Sequence, residues 1–339
     1  MLSSQINSKQ NNNVMQRLTA LWALSESGLG GMMFALKIPF TGFFVGGFAV
    51  IMLGLIAHFS NNNYKKIIEA TIIVLMVKAA VSPHSPPPAY VAVAFQGITA
   101  ALLFSIISSH KIACILLGMI SMAESAIQKV FILTVLFGKK LWEAIDALFA
   151  QISKEFYIGL HKDYSLWLIG IYIIVYIIWG AIVGKWASHI PQYINQKKET
   201  VLADYAEINK EGMSITIKSK SHRSLKKIFL FIGVIIFIAS VFLLSGASNT
   251  TVWWIFARSI AVLLLIYYVL LPIAKWLLQK WLSNRQGVQK KAAEEIIILL
   301  PQIKRLAGIA LTMAGNEKNH FKRLRKFIIY LIILSLYAE

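Results

Sequence analysis

A handful of ionisable and amide side chains interrupt long apolar runs: Glu26, Lys78, Glu124 and Lys129, with the amides Gln96 and Gln128. A charge at membrane depth is costly, so such a residue marks either a binding site or an internal ion pair. With the apolar runs laid across a bilayer, Lys78, Gln128 and Lys129 share one half of it. Two cations and an amide in that position suit a solute carrying a carboxylate. The competing reading is structural. Lys78 and Glu124 would neutralise each other without a ligand, and Lys129 would snorkel along its helix towards the headgroups.

The segment "VKAAVSPHSPPPAYVAVAFQG" follows Lys78 with a proline-rich turn. Proline sets φ, and the residue before it avoids the helical region, so 82–90 is stiff and extended. A stiff segment loses little entropy when it orders over a ligand. His84 and Tyr90 would be the polar tips of that cover. The plainer reading is a connector that stops one helix and starts the next. The other histidines show no metal-ligand spacing, and a lone Cys114 excludes an internal disulfide and thiolate clusters. No metal or other cofactor is expected.

The chain must supply helices to position these groups. Of its 339 residues, 57% are hydrophobic and only 14% charged. A soluble domain sits near half apolar and a quarter charged. The excess is gathered in runs long enough for about 30 Å of hydrocarbon. They fall at 18–37, 42–59, 67–82, 90–108, 112–137, 164–184, 228–245 and 252–276. The expected fold is therefore an all-α polytopic membrane helix bundle of about eight transmembrane helices, six plus two. The first run is broken by "SESGLGG" and should be a bent helix. Residues 139–163 read as a separate amphipathic helix. The polar start "MLSSQINSKQNNNV" shows no cleavable signal pattern.

A net charge of +19 raises nucleic-acid binding. The lysines and arginines, however, gather in a few loops, as cytoplasmic loops of membrane proteins do. That pattern sets 185–227 and the C-terminal region inside, the proline segment outside, and both termini cytoplasmic. The chain then divides into three regions: a six-helix domain at 1–184, a basic linker at 185–227, and 228–339 with two spans and an amphipathic end. In that end, "AAEEIIILLPQIKRLAGIALTMAG" should kink at Pro301, and "KRLRK" precedes a short apolar tail. These read as interfacial helices on anionic lipid, or as a docking region for a protein. No Walker A loop, GxSxG or HExxH occurs, so no catalytic constellation is expected.

In the first apolar run Ala23, Ser27 and Gly31 recur every four residues, a small-residue stripe that allows close helix contact, with another subunit or within the bundle. The stretch "LTALWALSESGLGGMMFALKIPFTGFFVGGFAVIMLGLIAHFS" at 18–60, with this stripe and the turn "KIPFTGFFVGG", resembles the first helices of the substrate-binding S components of energy-coupling-factor transporters. The likeness covers about half the chain by the span count above. It implies a pocket for a vitamin or metal solute, closed by residues 37–42 and 82–90. It also implies a coupling subunit docked on the first helix and two separate ATPases. Residues 228–339 are faintly similar to the T component of such systems. They lack its Ala-Arg-Gly-like coupling motif: Ala257-Arg258-Ser259 falls at the outer end of a span. The expected function is thus a non-enzymatic importer subunit in a bacterial inner membrane, with Lys78, Gln96, Glu124, Gln128 and Lys129 lining the pocket. The alternatives are a membrane scaffold whose basic end recruits a cytosolic partner, or a lipid-modifying enzyme using Glu26 or Glu124.

Overall fold

The fold comes from a computed structural model. It describes residues 2–35, 41–82, 85–155, 164–210, 288–317 and 319–338, with scattered positions between 261 and 280. Among these residues the protein is all-helical. In chain order the elements are α1 (Leu2–Leu24), a π-helical turn (Ser25–Leu29), α2 (Gly30–Ala35), α3 (Thr41–Phe59), α4 (Tyr64–Val81), α5 (Pro87–Ile106), α6 (His110–Phe137), α7 (Lys139–Glu155), α8 (Tyr164–Lys210), α9 (Val288–Met313), a 3₁₀ turn (Ala314–Asn316) and α10 (His320–Tyr337).

Five of these helices hold segments long and apolar enough to cross a membrane: Gly42–Phe59, Pro87–Ile106, His110–Phe137, Tyr164–Ile208 and Gln289–Met313. The protein is thus a membrane protein built as a helix bundle. Two expected spans are more compromised than their apolar runs suggested. The run 18–37 is split by the π turn, and α4 carries Lys65, Lys66, Glu69 and Lys78. The runs 228–245 and 252–276 lie outside the described residues, apart from scattered positions in the second.

The chain forms two compact units. The larger comprises Met1–Val130, Ser165–Ile215 and Ala274–Glu339. Its helices are punctuated by local chemistry. Asn61 and Asn62 adopt positive φ of 53° and 58°, a region Asn enters more readily than most residues. Asn63 then caps α4 by accepting from the Lys65 N–H at 3.0 Å. Pro87 starts α5, where its missing N–H costs nothing. Glycines set the closest approaches. A methyl on Gly118 of α6 would overlap the Gly180 carbonyl of α8, and one on Gly184 would overlap the Cys114 carbonyl. The two backbones therefore touch without intervening side chains.

The C-terminal helices pack on the N-terminal ones. α9 packs on α1 and α4, and α10 packs on α9 and α1. The buried stripe Ala293, Ile296, Leu300, Ile303, Leu306 and Ala310 gives α9 one apolar face against the bundle. α9 runs unbroken through Pro301. In α10, Ile332, Ile333 and Leu334 are fully buried, consecutive positions that point to different sides of a helix. Arg17 of α1 closes the end of α10: its Nη1 donates to the carbonyls of Ser335 and Ala338, each at 3.0 Å. Those carbonyls belong to a helix C-terminus, where orphan acceptors and the negative end of the dipole favour a cation. Gln16 Nε2 reaches Glu295 of α9 at 2.9 Å. The described C-terminal helices, Val288–Met313 and His320–Tyr337, thus pack with the N-terminal helices of the same unit. One apolar face of each helix finds partner helices there, while Ile298, Leu311, Phe321 and Leu324 stay exposed.

The smaller unit comprises Phe131–Tyr164 and Thr216–Ile273. Within it the end of α6 turns at Gly138, with φ 71°, into α7. Trp142 Nε1 donates to Thr134 Oγ1 at 3.1 Å across that turn. The amphipathic helix expected over 139–163 is realised over Lys139–Glu155.

Candidate functional site

The site begins with the break in the first helix. "SESGL" forms a π turn in which the Gly30 N–H reaches back to the Ser25 carbonyl. Such a turn inserts a residue into the helical count and rotates the next turns of helix about the axis. Ser25, Glu26 and Ser27 are all buried within it. Ser27 Oγ turns back to the Ala23 carbonyl at 2.5 Å, which satisfies its hydroxyl locally.

Glu26 meets Lys78 of α4. Lys78 Nζ lies 2.7 Å from Glu26 Oε2, with the two side chains only 3% and 5% exposed. The pairing foreseen from sequence, Lys78 with Glu124, does not form; Glu26 takes the lysine instead. The reason is geometric: the π turn packs against α4 and brings its buried carboxylate to the end of that helix. Lys78 Nζ also donates to the Ala89 carbonyl at 3.2 Å and sits 5.7 Å from the centre of the Tyr90 ring. The ammonium is thus held by a carboxylate, a carbonyl and an aromatic face, the partners a desolvated cation requires.

Gln128 of α6 arrives at the same place. Its Nε2 donates to the Pro88 carbonyl at 3.0 Å. Two residues singled out in the sequence therefore converge on neighbouring carbonyls, Pro88 and Ala89, in the first turn of α5. The proline segment just before them is pinned. Ser85 N–H donates to the Ser82 carbonyl, the Ser82 and Ser85 hydroxyls share a 2.9 Å bond, and Tyr90 Oη donates to the Ser82 carbonyl at 3.3 Å. Tyr90 is thus fastened to the segment it was expected to tip. His84 lies outside the described residues.

The remaining predicted residues separate. Lys129 is exposed and joins no ion pair among the described residues. Gln96 is buried at 2% exposure, and its Oε1 has no hydrogen-bond partner. Glu124 is half-buried, with Oε2 buried and likewise unpartnered. Ala23 and Ser27 of the small-residue stripe are buried inside the bundle, and Gly31 faces Ser82. Two members of the stripe thus pack inside the bundle, while Gly31 is only partly covered.

No family model, curated protein or solved structure matches the chain.

Three features are not legible from residue type and spacing. Ser121 of α6 is fully buried with an unpartnered hydroxyl, and nothing in the sequence distinguishes it from other helical serines. An aromatic cluster joins α3 to α8: Phe43 stacks on Trp179 at 5.5 Å and meets Tyr176 edge-on at 4.2 Å, while Trp179 Nε1 donates to the Phe43 carbonyl. At the other end of α3, His58 and His110 approach to 5.4 Å, with Phe104 stacked on His110. Cys114 Sγ lies 3.5 Å from His110 Nε2. Among the described residues no three His, Cys, Asp or Glu side chains form a metal-binding group.

Proposed function

We propose that the protein is a non-enzymatic membrane subunit of an energy-coupling-factor-like importer, receiving a small solute of the vitamin or metal class among α3, α4, α5 and α6. Separate ATPases and a coupling subunit would drive it. It would reside in a bacterial inner membrane with both termini cytoplasmic, the orientation that the basic loops favour.

The observation that carries this reading is the convergence of Lys78, Glu26, Gln128 and Tyr90 on the first turn of α5, directly beside the pinned proline segment. An ion pair placed there can exchange partners. A solute carboxylate would take the Lys78 ammonium from Glu26 while the stiff segment stays ordered over it, so little entropy is lost on binding. Helix packing alone would be served by apolar side chains at lower desolvation cost.

The test is mass spectrometry of small molecules that copurify with the protein, read beside solute uptake in cells. Lys78→Met paired with Glu26→Gln should abolish uptake and the copurifying solute while membrane insertion persists. Normal uptake by the inserted double variant would refute the assignment of this site.

A further inference from the structure

A second polar level lies deeper between α5 and α6. The Gln128–Pro88 bond sets the register of these two helices, which are joined by the short connection at 107–109 and so run antiparallel. At 1.5 Å per residue, the rise from Pro88 to Gln96 is about 12 Å, and the return from Gln128 to Ser121 is about 10.5 Å. Gln96 and Ser121 therefore stand at nearly one depth. Gly46 of α3 closes this level from a third side: a methyl there would lie 2.8 Å from Met122 Cε and 3.3 Å from Gln96 Nε2. Glu124 follows Ser121 by one turn on the same side of α6.

The buried atoms without partners at this level are Gln96 Oε1, Ser121 Oγ and Glu124 Oε2. All are oxygens. Gln96 and Ser121 are 2% and 0% exposed, so bulk water does not satisfy them. Glu124 has no cationic partner among the described residues: Lys78 is committed to Glu26, and Lys129 is exposed. It is also the one carboxylate within the spans Gly42–Phe59, Pro87–Ile106 and His110–Phe137.

We propose that Gln96, Ser121 and Glu124 bind a monovalent cation of the sodium class inside the bundle. An amide oxygen, a hydroxyl and a carboxylate are hard oxygen ligands of the kind that coordinate cations without soft or nitrogen donors. One carboxylate balances one positive charge. A divalent ion would leave a net charge at membrane depth, which the bilayer disfavours. The site extends the reading of the interior as a binding region, but it is separate from the Lys78 level and is tested without solute or ATPases.

The experiment uses the purified full chain in detergent, in choline chloride buffer of constant ionic strength, titrated with Na⁺, Li⁺ or K⁺. Equilibrium binding of radioactive sodium and the thermal unfolding midpoint are the readouts. Saturable binding of one ion per chain, with a midpoint that rises with Na⁺, is the expected result. Glu124→Gln and Ser121→Ala should each weaken it at least about tenfold, equivalent to about 1.4 kcal/mol. The Glu26→Gln/Lys78→Met pair should leave it unchanged. The absence of saturable binding and of any cation-specific midpoint shift in the unaltered protein would overturn the proposal. So would undiminished binding by a folded Ser121→Ala/Glu124→Gln protein. Sodium binding by the unaltered chain, together with normal uptake by the inserted Glu26→Gln/Lys78→Met variant, would leave this site standing and remove the importer reading.

Discussion

Replacing Lys78 by Met removes the cation from a buried ion pair and keeps most of the side chain's length. Glu26 is then left 5% exposed, with no other donor among the described residues. Breaking a buried pair from one side costs about 3–5 kcal/mol, because the remaining charge is desolvated and uncompensated. Against a total stability of about 5–15 kcal/mol, that loss is severe. Glu26→Gln should cost less, because Lys78 keeps the Ala89 carbonyl and the face of Tyr90. The double variant removes both charges, and neutral replacement of a buried pair is often close to neutral in stability. The structure thus predicts a rank order: Lys78→Met worst, Glu26→Gln intermediate, and the pair more stable than Lys78→Met alone. Thermal unfolding of detergent-purified protein followed by size-exclusion fluorescence would supply the cycle, with an expected coupling of about 2–3 kcal/mol. Additive losses, with the double variant the least stable of the set, would refute the reasoning that these two side chains neutralise each other.

Three further perturbations probe the frame around the site. Gly180→Ala should prevent stable folding, because the added methyl meets the Gly118 carbonyl, backbone that cannot rotate away; loss of the monodisperse species on size exclusion is the readout. Arg17→Met should free the end of α10 at a cost of about 1–3 kcal/mol for a part-buried charge-assisted contact, seen as faster amide exchange across Leu331–Leu336 with exchange in α5 unchanged. Glu317 is held below the ordinary carboxylate range by its hydrogen bond from Lys326, which in turn is held above the ordinary lysine range. Because the folded-state value of Glu317 is depressed, the stabilisation is present above its unfolded value and lost as pH falls through the folded one. The amide protection factors over Ala314–Asn316, corrected for the intrinsic pH dependence of exchange, should therefore fall at acidic pH, and Glu317→Gln should abolish that fall.

The amino-acid order alone determined the class of structure and the places where chemistry had to be settled. Apolar runs of bilayer length made helices, because a backbone in hydrocarbon must bond to itself. Lys78, Gln96, Glu124 and Gln128 were legible because each is an expensive residue in its run. The prolines marked the connection that follows α4. The pairing of those residues was a tertiary matter. Side-chain direction along a helix drifts with every residue, and the π turn at Ser25–Leu29 resets it, so no spacing rule could prefer Glu26 over Glu124 as the partner of Lys78. The same holds for the C-terminal helices: their amphipathic pattern specifies an apolar face but not what covers it, and only tertiary packing set the buried face of α9 against α1 and α4. Burial, finally, turned Ser121 from an ordinary helical serine into an oxygen without a partner, because that property belongs to its neighbours and not to its own residue type.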